Sequence, residues 1–197
     1  MTFTWDSKSQ RYRGEQGRFV RRQAITDALE SVRNEGRKRV AQLTTDLREG
    51  KINVAQWQIS MRDEIKAQHL LHAGIAKGGK AQLSPSDLGR IGQLTRVQYE
   101  RLNNYARQVA NGVKAPNIGR SQMYINAAYS TFAETEKRLK RDAGYELARR
   151  VTNSKEGCEE CAAIESEGLM PIDELPKIGE QICLTNCLCE IEYEKAA

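Results

Sequence analysis

The sequence predicts a mainly α protein: a bundle of about four long helices with an extended N-terminal arm and a small cysteine-rich module at the C-terminal end. Three observations predict this. Apolar residues recur at helical spacing through most of residues 23–150. Residues 1–22 mix aromatic and basic side chains with no helical period. All five cysteines lie between Cys158 and Cys189. The expected divisions are therefore an arm at 1–22, a helical domain at 23–150 and an acidic cysteine-rich module at 151–197.

The first helix is expected over Gln23–Arg48. Its apolar stripe is Ile25, Leu29, Val32, Val40, Leu43 and Leu47, and Gly36 interrupts it at a position suited to a close crossing. The Glu49-Gly50-Lys51 run stops it, and Asn53 caps a second helix over Val54–Ala76. His69 and His72 lie on that helix three apart. With no carboxylate placed to complete a ligand set, they read as solvated or partly buried side chains. Lys77–Lys80 is a hinge-like loop without phosphate-loop spacing. Ser84-Pro85-Ser86-Asp87 is a strong helix start, opening a third helix that runs to about Asn111. A fourth is expected from Arg120 to Arg150, with Met123, Ala127, Phe132, Leu139 and Leu147 inward. Arg149 and Arg150 then fall among the charges of its solvated face.

The arm interleaves Trp5, Tyr12 and Phe19 with Arg11, Arg13 and Arg18. Its aromatics suit a groove on a neighbouring subunit, its arginines suit phosphate, and as a free segment it is expected to order on binding. Charge is strongly partitioned. From Val151 onward three Lys face eleven Asp or Glu (−8), whereas residues 1–150 hold 28 Lys or Arg against 15 Asp or Glu (+13). The basic part suits nucleic acid or an acidic protein surface, and the acidic end suits protein. With 6% aromatics and a mean hydropathy of −0.67, the core is thin, and the helices are expected to lean on one another or on a partner. No apolar run approaches membrane-spanning length, and no secretory signal is visible.

The cysteines carry the sharpest chemistry. Cys158 and Cys161 form a C-x-x-C knuckle, and Cys183, Cys187 and Cys189 a C-x-x-x-C-x-C group about twenty residues on. Such spacing closes a tetrahedral site and resembles a structural zinc ribbon, so the module is expected to be zinc-ribbon-like and β. Cys158, Cys161, Cys183 and Cys187 are the expected zinc ligands, with Cys189 as spare or alternative ligand. Two disulfides plus one thiol would use the same residues, but reducing cytosol disfavours them. A redox C-x-x-C lacks its usual βαβ surroundings. A segment of this size buries too little apolar surface to fold unaided, and a structural zinc contributes on the order of 10 kcal/mol.

From Gly144 to Tyr193 the order of motifs resembles the C-terminal region of tailed-phage minor head proteins, the Mu F-like or phage head morphogenesis family. The matching residues are Cys158-Glu-Glu-Cys161, Gly168-Leu-Met-Pro171-Ile172, Leu175-Pro176-Lys-Ile178-Gly179 and Cys183-Leu-Thr-Asn186-Cys187-Leu-Cys189. Leu188 departs from the Arg that the family often carries between its last two cysteines. The resemblance implies a virion protein of the head or neck, made in the host cytoplasm. It would be present in multiple copies against portal or capsid subunits, and no membrane is involved. Non-specific contact with packaged DNA is compatible with it. A DNA-binding protein with a structural zinc is the alternative. No catalytic motif is apparent, so a non-enzymatic role is expected.

Overall fold

The computed structural model describes residues 3–14, 16–152 and 158–196. Three helices form the first part of the bundle: α1 (Arg22–Arg48), α2 (Val54–Lys77) and α3 (Pro85–Ala110). Their bounds follow local chemistry. Asn53 and Gln56 form a reciprocal capping box at the start of α2, and Ser84 and Asp87 form another at the start of α3. α2 is the buried element, with Trp57, Met61 and Ile65 fully inside. They pack with Val40 of α1, Leu102 and Tyr105 of α3, and Ile125. The crossing at Gly36 is close: a Cβ there would lie 2.7 Å from Gln68 Cδ and 2.9 Å from Ile125 Cγ2.

The expected fourth helix is two helices and a strand. α4 (Ile118–Asn126) and α5 (Ala128–Asp142) meet at a kink at Ala127. There both the Ser130 N–H (3.2 Å) and its hydroxyl (2.7 Å) turn to the Ala127 carbonyl, tightening the helical turn. α5 stops well before Arg150. Gly144 adopts φ 80°; its N–H donates to Arg141 O and that of Tyr145 to Lys140 O, a Schellman closure that a side chain with a Cβ would strain. Leu147–Val151 is then strand β3, the centre of a three-stranded antiparallel sheet between β4 (Met170–Pro171) and β5 (Glu190–Glu194). The last residues assigned to the helical domain thus belong to the C-terminal module. The module also contains α6 (Glu159–Ser166) and a 3-10 turn at Leu184–Asn186.

The N-terminal segment is not an extended arm. β1 (Phe3–Asp6) and β2 (Arg11–Gly14) form an antiparallel hairpin that pairs Trp5 with Tyr12. Phe3 and Tyr12 are buried with Ile25, Leu29, Ala76 and Phe132, and the Tyr12 hydroxyl donates to Ala76 O at 2.8 Å. The hairpin backbone lies against the left-handed Gly78 that ends α2; a Cβ there would lie 2.8 Å from Thr4 Cα. Trp5 is half-buried, with Lys140 Nζ 4.9 Å from its ring centroid. Among the arm residues considered as partner contacts, Tyr12 is therefore spent inside the chain's own core, whereas Arg11, Arg18 and Phe19 are exposed. Arg13 stacks on Phe19 and pairs with Asp6. No described helix is long and apolar enough to cross a membrane.

Both histidines are fully buried, deeper than the solvated or partly buried reading placed them. Gln98 Nε2 donates to His69 Nε2 at 2.8 Å, so Nδ1 carries the proton toward Thr131 Oγ1 at 2.6 Å. His72 Nδ1–H donates to Gln68 O at 2.9 Å. Burial holds both imidazoles down to about 4, so the fold needs them neutral. The unfolded chain, with ordinary values near 6.5, binds protons first. Stability from these groups is complete above pH 6.5 and falls as the pH drops toward 4. The urea midpoint of the helical body should decline across that window, and His69→Gln should shrink the decline; an unchanged pH dependence in the variant would contradict the neutral buried imidazole.

Candidate metal centre

The sheet and two turns bring the five thiols together. Cys158 is the N-cap of α6 and Cys161 lies in its first turn. Cys183 and Cys187 flank the 3-10 turn, and Cys189 directly precedes β5. Cys161 is the common point. The sulfurs of Cys158, Cys161 and Cys183 lie within 4.8 Å of one another, and so do those of Cys161, Cys187 and Cys189. Cys161 Sγ is 3.7 Å from Cys183 Sγ and 3.9 Å from Cys187 Sγ. An edge of a tetrahedral metal–thiolate site is ~3.8 Å when metal–sulfur bonds are ~2.3 Å. No disulfide joins the five. The arrangement can hold a metal ion. Cys189, set aside by the sequence as a spare, is buried within the same cluster.

The thiols are not equivalent. A hydrogen bond from Cys189 holds Cys187 down to about 5, and the same contact pushes Cys189 up. Burial pushes Cys183 up. The contact thus favours the ionised form at Cys187 and the protonated form at Cys189.

Arg150 is the residue that the sequence did not reveal. Its placement follows from β3: alternate residues face inward, and Ala148 and Arg150 are both fully buried. The guanidinium donates to Cys161 Sγ at 3.6 Å, to Gln181 Oε1 at 2.9 Å and to Pro176 O. Its Nε has no partner among the described residues. Nor does any described carboxylate pair with it. A buried cation of this kind requires nearby negative charge, and the cysteine cluster is what lies beside it. A helix-period reading puts residue 150 on a solvated face; only a strand turns it inward.

The module is fixed to the helical body through α5. Tyr129 OH donates to Cys189 O at 3.1 Å. Arg22 pairs with Glu136, which is buried, and with Glu190 at 3.5 Å. Ala133 and Tyr129 pack into the cluster formed by Cys161, Ile172, Leu175 and Ile191. Comparisons with protein-family models, curated proteins and solved structures find no match to this chain.

If Arg150 balances the thiolates, Arg150→Met should speed metal loss to a chelator by about 10–100-fold, the usual weight of a residue supporting metal ligands. The metal-free, acidified module should tolerate the same change. Equal metal retention in both proteins would separate Arg150 from the cluster's charge.

Proposed function

We propose that this chain is a structural component of a tailed-phage particle, a minor head or neck protein. It associates with portal or capsid subunits, and its C-terminal module is held by one structural zinc ion. The convergence of four other cysteines on Cys161 carries the reading, because it fits the motif order that suggested the family. Cys158, Cys161, Cys183 and Cys187 are the proposed ligands. Cys189 donates its S–H toward Cys187 from outside the set. Zinc with four thiolates leaves a doubly negative centre, which fits the buried cation of Arg150. A ligand set completed by protein sulfur has no open position for substrate, so the role proposed for the metal is to hold the fold. The exposed residues of the hairpin end, Arg11, Arg18 and Phe19, are available to a portal or capsid neighbour.

A DNA-binding role is the second reading, favoured by the +13 formal charge of residues 1–150. It predicts binding that weakens steeply with salt.

Metal analysis of the purified protein should find about one zinc per chain. Cys158→Ser should release it and loosen the module, whereas Cys189→Ser should retain it; metal-free protein with an ordered module would refute the zinc assignment.

The particle assignment is tested separately, by quantitative mass spectrometry of purified, DNA-filled particles from the source of the sequence. A fixed ratio to the portal subunit is expected. Absence from particles would refute the assignment, and salt-dependent DNA binding would then be measured.

A further inference from the structure

One face of the molecule carries an apolar groove walled by α3, by the α4–α5 kink and by the cysteine module, enclosing about 750 Å³ and continuing into a second recess along α4. Leu94, Val97 and Arg101 follow one another along α3 at helical spacing, and Leu94 and Val97 are 40% and 44% exposed. Opposite them Leu184 is 52% exposed. Leu184 holds φ 47°, a left-handed backbone that costs a leucine about 1 kcal/mol. The chain thus bears strain where it presents an apolar side chain to water. The charges that line this floor have one sign, while Glu134 and Glu180 stand in the recess adjoining it at Leu94. Arg96, Arg101 and Arg120 line the groove and its extension, with no Asp or Glu among the lining residues. Arg96 and Arg101 have no carboxylate partner among the described residues.

The complement is on the same chain. Ile182, two residues before Leu184, is 63% exposed. Its N–H donates to Glu160 at 2.8 Å, so an acidic helix start lies beside it. Glu159 and Glu160 are exposed and pair with no cation among the described residues. An apolar knob beside two carboxylates without a cation partner therefore adjoins an apolar groove bordered by guanidinium groups without a carboxylate partner.

We propose that two copies of this chain pair across this face, the Ile182 knob of each seated in the Leu94–Val97 groove of the other. The closeness of knob and groove along the chain makes a two-fold arrangement self-complementary, so that each contact is made twice. Opposite charges set the register and the apolar pair supplies the buried contact. Nucleic acid is the poorer occupant, because the exposed side chains Leu94, Val97 and Leu184 are aliphatic and the lining tyrosines are partly or fully buried, which offers little to stack on bases.

The test is sedimentation of the full, metal-loaded chain from micromolar to millimolar concentration, with metal content measured on every variant. Wild type should form a dimer. Reversal of the groove charges (R96E with R101E) or of the knob charges (E159R with E160R) should each weaken it by at least about tenfold. The fourfold variant combining both reversals should recover it, and so should mixing the two double variants. V97D should dissociate the dimer at unchanged metal content. A wild-type monomer throughout would overturn the proposal, as would a dimer indifferent to both reversals. Metal content reports separately on the zinc assignment, and particle composition on the phage reading.

Discussion

A guanidinium taken fully out of water has to meet negative charge, and in this chain that requirement ties the C-terminal module together. Arg150 stands on the central strand, reaches the carbonyl of Pro176 and the amide of Gln181, and lies against Cys161. Four stretches of chain that share no helix or strand are thereby referred to one cation. A metal held by the cluster would ionise its sulfurs, and the buried cation and the anionic centre would then support one another.

The helical body supports that arrangement through α5. One face of this helix receives the hairpin through Phe132, another buries Thr131 against His69, and a third carries Tyr129 and Ala133 into the cysteine cluster. Arg22, at the first residue of α1, adds a bridge by pairing with Glu136 of α5 and Glu190 of β5. The division of charge between a basic body and an acidic end therefore does not mean two independent parts. The two are joined by a short ionic chain and a shared apolar seam.

Much of the architecture was legible because local chemistry marked it. The capping residues Asn53 and Ser84 place the starts of two helices where the sequence puts them, and Gly36 marks a crossing where there is no room for a side chain. The cysteine spacing announced a cluster. What escaped was decided by competition between local and tertiary signals. The apolar spacing of residues 120–150 continues past Gly144, so periodicity masks the glycine that closes α5. The hairpin strands are four residues each, too short for alternation to stand out, and their stability comes from Phe132 and Ala76 far away in sequence. Arg150 could not be read as buried, because its inward direction exists only once residues 147–151 form a strand. The burial of His69 likewise depends on Gln98 of α3 and Thr131 of α5.

The hairpin's platform has a consequence for the order of events in synthesis. Residues 3–14 leave the ribosome long before Phe132 and Lys140, which complete their seat, and before Ala76, which accepts the Tyr12 hydroxyl. Until then an aromatic ribbon with an unsatisfied edge is exposed, and edges of this kind seek other strands. The arginines threaded through it, and Asp6 beside Arg13, keep that early segment charged while it waits. Charged side chains on such a ribbon oppose pairing with other strands, so the residues that suggested a phosphate or partner contact also suit that interval.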